Sequence, residues 1–314
     1  MHDVCAIVVS HNGREWLDQA LGSLLDHAGS ISLDVVVVDN GDDGAAEYAE
    51  ARFPGVRGLR TENRGFGHAN NRGLETADAR YVLFLNPDTE FVAGSLEQLV
   101  AAFDRRPELG LAGVRQLRGD DSLAPSIRRF PSRSNAFAEA LGAERLAAAR
   151  RRFGERELDP ASYERETACD WTSGSFMFVR GETLEDVGWF DERFFLFSEE
   201  TDLCWRLKES GWEIVHMPDL TIRHYEQEHW QNARLEAQSA YARMQFARKN
   251  LGGEAAGYRR ALALRYGLRV VAYSLPGRRQ PQRRRAARAA LAAVLDEQPP
   301  FGAVAEAPRV VVPA

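Results

Sequence analysis

The chain has 314 residues, 44% hydrophobic and 27% charged, a balance that fits a globular protein with one large domain and room for an appendage. A net charge of −6 argues against nucleic acid as a partner, and no apolar run approaches the ~20 residues that span a bilayer. Met1-His2-Asp3 lacks the regions of a signal peptide, and Cys5, Cys169 and Cys204 are too scattered for a metal pair. These features predict a cytoplasmic protein with buried free thiols, touching membranes only peripherally.

Val4 to Ser10 is a continuous apolar run, the mark of a strand buried on both faces. His11-Asn12-Gly13 turns the chain into a helix over Arg14 to Asp26. A second strand, Leu33 to Val38, ends in Asp39-Asn40-Gly41-Asp42, and a helix follows from Gly44 to Phe53. A weaker strand, Val56 to Arg60, precedes Glu62 to Gly73, within which a helix starts and runs towards Thr76. Tyr81 to Leu85 is again strand, stopped by Asn86-Pro87-Asp88, because proline cannot continue a central ladder. A helix over Gly94 to Arg106 and a strand over Leu109 to Val114 complete the alternation. Strands and helices at this spacing predict an α/β fold, a doubly wound, mainly parallel sheet with helices on both faces.

The pattern dissolves from Arg118 to Ala168, where Arg128 to Ser132 reads as loop and Ala136 to Arg156 as Ala/Arg-rich helix. A strand is expected over Trp171 to Arg180, entered through small residues, then a short helix from Glu182 to Val187. Trp189 to Phe197 is too aromatic for a solvated loop, and Ser198 is placed to cap a helix opening with Glu199, Glu200 and Asp202. Two short strands, Glu213 to His216 and Leu220 to His224, flank Pro218-Asp219, and Trp230 to Leu251 reads as an amphipathic helix. From Ala255 to Leu295 ten arginines interleave with apolar residues and no acid intervenes, a helical extension suited to an anionic membrane surface. The residues from 299 to 314 read as a disordered tail. The domain boundaries expected are therefore 1–251, divided near 117 into nucleotide-binding and acceptor halves, and 252–298. No internal repeat is present.

Asp39, Asp88 and the His11-Asn12 turn each close a strand, so a parallel sheet gathers them along one edge, where such sheets bind ligands. Ser10, Asp39 and the Glu62 to Gly73 segment suit a nucleotide, and Asp88 suits a divalent cation bridging two phosphates. Gly65-Phe66-Gly67 has two glycines of a dinucleotide fingerprint, but Asn70 replaces the third and the segment follows the third strand, which disfavours a dehydrogenase. Glu199, Glu200 and Asp202 read either as a charged first helical turn or, behind the aromatic wall, as a source of a general base. His224 ends a β-like segment; His216 reads as a hydrogen-bonded core histidine.

Taken in order, Val8 to Asn12, Val36 to Asn40, Glu62 to Gly67, Leu85 to Asp88, Ser173 to Phe176 and Phe190 to Arg206 resemble the inverting GT-A glycosyltransferases of family two. The nearest subgroup is the bacterial rhamnosyltransferase-like enzymes of cell-surface polysaccharide synthesis, and the resemblance covers roughly residues 4 to 250. It implies a sugar-nucleotide donor, dTDP-rhamnose or a UDP-sugar, and a hydroxyl of a glycan or polyprenyl-linked acceptor. Asp39 would contact the base, and Ser10, Asn12, Asn63, Arg64, Gly65, Asn70 and Asn86 would line the donor site. Asp88, with His224, would bind Mg²⁺ or Mn²⁺. Glu200 would be the general base with Asp202 as its competitor, and Trp171, Gly174 and Glu199 would meet the acceptor. Asn86 and Glu200 depart from the aspartates usual in the family. They motivate the alternative of an inactive sugar-nucleotide-binding protein; a nucleotidyltransferase of similar fold is the other alternative. A homo-oligomer is compatible with the sequence.

Overall fold

The computed structural model describes residues 1–143, 146–225, 232–275 and 280–302. Four strands, β1 (His2–Ser10), β2 (Leu33–Asp39), β3 (Val56–Arg60) and β4 (Ala79–Leu85), lie parallel in the order β3-β2-β1-β4. Alternate residues of β1 face opposite ways. Val4, Ala6 and Val8 pack with Leu17, Leu21 and Leu24 of α1 (Leu17–Asp26) and Ala45 and Ala49 of α2 (Ala45–Arg52). Cys5, Ile7 and Val9 pack on the other face with Ala69 and Leu74 of α3 (Phe66–Leu74). Burial on both faces explains why these strands read as unbroken apolar runs.

Beyond β4 the sheet becomes mixed. β5 (Thr89–Ala93) follows the Asn86-Pro87-Asp88 turn and pairs antiparallel with β9 (Glu213–His224); the turn signals hid it from the sequence reading. The helix α4 (Leu96–Arg105) starts at Ser95, whose N–H donates to Gln98 Oε1 at 2.9 Å, a capping contact. It leads to β6 (Leu109–Leu117), parallel to β9. A two-residue strand, β7 (Thr167–Ala168), pairs with β9, and β8 (Phe176–Arg180) inserts antiparallel between β4 and β6. The two strands expected around Pro218-Asp219 are one strand whose register against β6 slips between Met217 and Thr221. Trp171 to Ser175, expected as strand, lies outside the sheet, with Trp171 in an isolated bridge to Arg128; Thr172, Ser173 and Gly174 favour a loop.

Helices α5 (Arg133–Ala140) and α6 (Ala147–Phe153) replace the single helix expected over Ala136 to Arg156, broken by Gly142 at φ 68. Short α7 (Gly181–Val187) precedes α8 (Glu199–Glu209), whose Leu203 and Leu207 join the second core face. After β9 come α9 (Ala233–Asn250), α10 (Ala255–Ala272) and α11 (Pro281–Asp296). Trp230, the expected start of α9, lies outside the described residues.

The arginine-rich segment is helical and packs on α9. Ala240, Met244 and Ala247 meet Tyr258, Ala261 and Leu262 of α10 and Ala290 and Val294 of α11, small residues that allow close helix approach. Several of its arginines face inward: Arg265 pairs with Glu139 at 2.6 Å, and Arg259 donates to the carbonyls of Val294 and Leu295. Residues 303–314 of the expected tail lie outside the described residues, but Phe301 stacks on Phe195 with ring centres 5.0 Å apart. All three cysteines are buried and free, and no described helix is long and apolar enough to cross a membrane.

Candidate active site

The turns after β1, β2 and β4 meet at the carboxyl edge. Asn12 takes a left-handed conformation at φ 54, and its Oδ1 accepts from Asp42 N at 2.8 Å. A side chain on Gly41 would stand 2.5 Å from Asn12 N, so the two turns touch only because that residue is glycine. The carboxylate of Asp39 is fully buried and accepts from Gly41 N at 2.9 Å and Ala46 N at 3.4 Å. Those bonds fix the carboxylate within this turn. Ser10 Oγ, Asn40 Oδ1 and Asn70 Oδ1 are buried along this edge without hydrogen-bond partners, as expected where a polar ligand completes the set.

Gly65 has φ 109, and a side chain there would fall on the carbonyl oxygen of Phe195, which accepts from Phe66 N at 3.0 Å. Asn63 is exposed and Arg64 half-buried at the same turn. A network invisible to the sequence reading fixes this loop. Glu192 accepts from Asn71 Nδ2 at 3.0 Å and lies 2.8 Å from His68 Nδ1, with Arg64 at 3.9 Å. Burial pushes the Glu192 carboxyl up, but Asn71, His68 and Arg64 together hold it below its ordinary value. The Glu192 side of this network was quoted in the aromatic motif, yet no periodicity marks its partner on α3.

In the Asn86-Pro87-Asp88 turn, Asp88 Oδ1 stands 3.2 Å from His224 Nε2, with Asn86 Nδ2 3.4 Å from the same nitrogen. The antiparallel register of Thr89 with His224 and the bond from Tyr225 N to Asp88 O at 2.9 Å bring this pair together. Among the described residues no third His, Cys, Asp or Glu joins them.

The acidic turn of α8 is entered through two left-handed residues, Phe197 at φ 69 and Ser198 at φ 67. Such backbone is strained in non-glycine residues and tends to gather at functional sites. Ser198 occupies the cap position without a side-chain cap bond, contrary to expectation. Glu200 packs beside Gly174, whose added Cβ would stand 3.6 Å from Glu200 Cβ, and beside Phe66. Next to Gly174, the Ser175 carbonyl accepts from Asn86 N at 3.0 Å, so one short segment links the acidic turn to the Asp88 turn. Glu199 is 3% exposed, faces Gly67 of α3, and has Oε2 buried without a partner, so it does not reach the acceptor side as expected. Burial raises both carboxyls, that of Glu199 furthest, with the neighbouring Glu200 adding to it; Arg128 partly offsets the rise at Glu200.

Asp202 is already engaged by structural partners. It is fully buried, bonded to Arg206 Nε at 3.0 Å, Lys249 Nζ at 2.8 Å and Asn250 Nδ2 at 3.0 Å, an ionic anchor between α8 and α9. Trp171 is likewise covered. Its Nε1 donates to Arg129 O at 2.9 Å and the Arg128 guanidinium carbon lies 5.2 Å from its ring centre. Its place is under the acceptor side. His216 is the core histidine expected, 3.4 Å from Tyr163 O and pushed down to about 4 by burial.

A cavity of about 440 Å³ lined by Asn12, Arg14, Glu15, Asp43 and Tyr48 opens at this carboxyl edge. The larger groove, about 850 Å³, lies at the opposite end, where β4 begins. Its arginines are already engaged, Arg80 with Asp3 and Asp104 and Arg180 with the carbonyls of Phe103, Arg106 and Leu109, so size does not mark the site.

The model of the family described as Glycosyl transferase family 2 matches residues 5–157. The chain is 33% identical over 245 residues to N-acetylglucosaminyl-diphospho-decaprenol L-rhamnosyltransferase of Mycobacterium tuberculosis, covering 72% of this chain and 77% of that one. It is 26% identical to rhamnosyltransferase WbbL of Escherichia coli, covering 71% and 83%. In fold it is similar to mannosyltransferase PcManGT from Pyrobaculum calidifontis, solved with GDP-Man and Mn²⁺, at a TM-score of 0.57 and 18% identity over 95% of this chain and 88% of that one. GalNAc-T7, solved with UDP, GalNAc and Mn²⁺, gives 0.55 and 14% over 72% and 44%. These likenesses show a GT-A type fold.

Proposed function

Because the chain belongs to glycosyl transferase family 2, and is thus a glycosyltransferase, we propose that it moves a sugar from a nucleoside-diphosphate donor to a hydroxyl of a lipid-linked glycan. The donor sugar we favour is rhamnose, on the strength of the rhamnosyltransferase relatives, carried by deoxythymidine diphosphate. The observation that carries the reading is the placement of Glu200. It lies against Gly174, and the adjoining Ser175 is bonded to the turn that bears Asp88. A base and a diphosphate site are thereby set side by side.

Glu200 removes the proton from the acceptor hydroxyl, whose oxygen attacks the anomeric carbon opposite the departing diphosphate. A single displacement inverts that centre and requires no enzyme nucleophile. Burial lifts the carboxyl of Glu200 above its ordinary range, which makes it a stronger base once ionised. Ser10, Asn70 and the Asn12 turn bind the donor, and Asn63, Arg64 and Gly65 close over it. Asp88 and His224, a carboxylate oxygen facing an imidazole nitrogen, would hold Mg²⁺ or Mn²⁺. When bound, such an ion neutralises charge on the diphosphate.

The acceptor's lipid places the enzyme at a membrane surface. Leu264, Leu268, Val271 and Leu275 form one stripe along α10 and just beyond it, 39 to 59% exposed, and Arg260 continues it. Gln280 N donates to Tyr273 O at 3.3 Å, which brings the exposed Arg283, Arg284 and Arg285 close to the carboxyl end of the stripe. Apolar burial and attraction to anionic headgroups then act together, at about 1 kcal/mol for each arginine near the surface.

Incubation with dTDP-rhamnose, Mn²⁺ and prenyl-diphospho-N-acetylglucosamine tests the central reading. The expected product carries one added rhamnose with inverted anomeric configuration, read by mass spectrometry and NMR. No transfer from any sugar nucleotide would refute the reading, and retention would remove Glu200 from the base role.

A further inference from the structure

Arg128 is a half-buried cation with no direct part in the transfer chemistry described above. Its backbone is fixed, N donating to Trp171 O at 3.0 Å and O accepting from Asp170 N at 3.1 Å. Its guanidinium lies over the Trp171 ring, and Nε is buried with no hydrogen-bond partner. Among the described residues it forms no ion pair within 4.0 Å. A bridge pairs its backbone with that of Arg156, so two cations are held together. Burial first, and the Arg156 charge next, bring the guanidinium down to about 10. Glu155 and Glu200 act on it only through space, so its buried Nε–H donor is left unsatisfied, which is costly to the fold. The economical explanation is an anion that arrives with a ligand.

The segment from Trp171 to Ser175 shows which ligand. Trp171 carries Arg128 at one end, Gly174 touches Glu200, and Ser175 is bonded to Asn86 at the other end. The donor diphosphate belongs to the Asn86 end, where Asp88 and His224 stand. An anion at the Arg128 end lies on the other side of the base and belongs to the acceptor. We propose that Arg128, backed by Arg156, receives a phosphate oxygen of an acceptor whose sugar is joined to its lipid through phosphate or diphosphate. The planar fork of a guanidinium matches two such oxygens, and a lysine at this position would not. This inference rests on the glycosyl-transfer reading and assigns the feature of the acceptor that the site recognises.

The test compares two acceptors bearing the same N-acetylglucosamine, one as the farnesyl diphosphate derivative and one as the uncharged octyl glycoside. For Arg128→Gln, the ratio of kcat/KM between the diphosphate and octyl acceptors is expected to fall about 30- to 100-fold, the loss of one buried charge-assisted contact. Arg128→Lys should fall between the two and serves if the glutamine variant does not fold. An equal loss on both acceptors would show that Arg128 acts through Glu200 and would overturn the proposal, as would an unchanged ratio. Calorimetry of farnesyl diphosphate in EDTA gives a readout independent of turnover: the wild type should bind and Arg128→Gln should not. Failure of the wild type to transfer to either acceptor would count against glycosyl transfer, while the calorimetry would still decide the anion site.

Discussion

Glu199, buried, and Glu200, half-buried, sit side by side on one helical turn, where the charge of Glu200 disfavours a second charge on Glu199. Burial first, and the Glu200 charge next, favour the protonated form of Glu199, whose Oε2 has no partner, while Glu200, beside Gly174, is raised less. Glu200→Gln should therefore lower kcat by about 10²- to 10⁴-fold while donor binding persists. The acid limb of the wild-type kcat/KM profile should lie above the ordinary carboxylate range. A limb at or below that range would contradict the buried base.

Glutamine is an isostere of the protonated Glu199. Because the folded value of Glu199 lies above the unfolded one, its contribution to stability is full below the unfolded value and is lost as pH rises through the folded value. Glu199→Gln should keep activity within about three-fold and flatten the fall in stability as pH rises above the ordinary glutamate value. Urea denaturation at several pH values checks this, and an unchanged slope would show that Glu199 is not the proton carrier.

Asp88 and His224 provide the metal prediction. Asp88→Ala should abolish the Mn²⁺ dependence of donor binding and cost about 100-fold or more in turnover, with His224→Ala costing about ten-fold. Titration of donor with and without Mn²⁺ separates these from folding effects. Metal-dependent binding that survives Asp88→Ala would remove that carboxylate from the site.

Asp202→Asn tests an anchor. It leaves Arg206 and Lys249 facing a neutral amide in a buried setting, with Asp191 still on Lys249 at 2.6 Å. A destabilisation of about 3 kcal/mol is expected, with kcat of the folded enzyme largely kept. A stable but inactive variant would return Asp202 to the chemistry.

The stripe on α10 predicts that Leu264→Glu with Leu268→Glu lowers co-sedimentation with phosphatidylglycerol vesicles at least about ten-fold, and leaves the melting temperature nearly unchanged because both residues are exposed. Unchanged sedimentation would clear this face of a membrane role.

The strand ends were legible because runs such as Val4 to Ser10 and Tyr81 to Leu85 are buried on both faces and stop at turn-forming residues. Their convergence on one edge followed from parallel pairing. What decided between Glu200 and Asp202 was not legible: the difference comes from Lys249 and Asn250, which α9 brings across from a distant part of the chain. The cover over Trp171 was not legible because an aromatic near a site has the same letter whether it faces ligand or core. β5 was missed since five residues between a turn and Gly94 offer too short a period. Arg128 read as loop because an unsatisfied Nε–H beside Trp171 is a property of the fold alone.

The bond from Phe66 N to the Phe195 carbonyl couples donor recognition to base placement. Gly65 is required for that contact, and Phe195 lies two residues before the strained pair that sets the acidic turn. The two stretches are therefore one heritable unit. A chimera that imports residues 62–71 from a relative with another donor, while keeping 189–200, would join halves fitted to different partners. Donor specificity in this enzyme is best exchanged by moving both segments together.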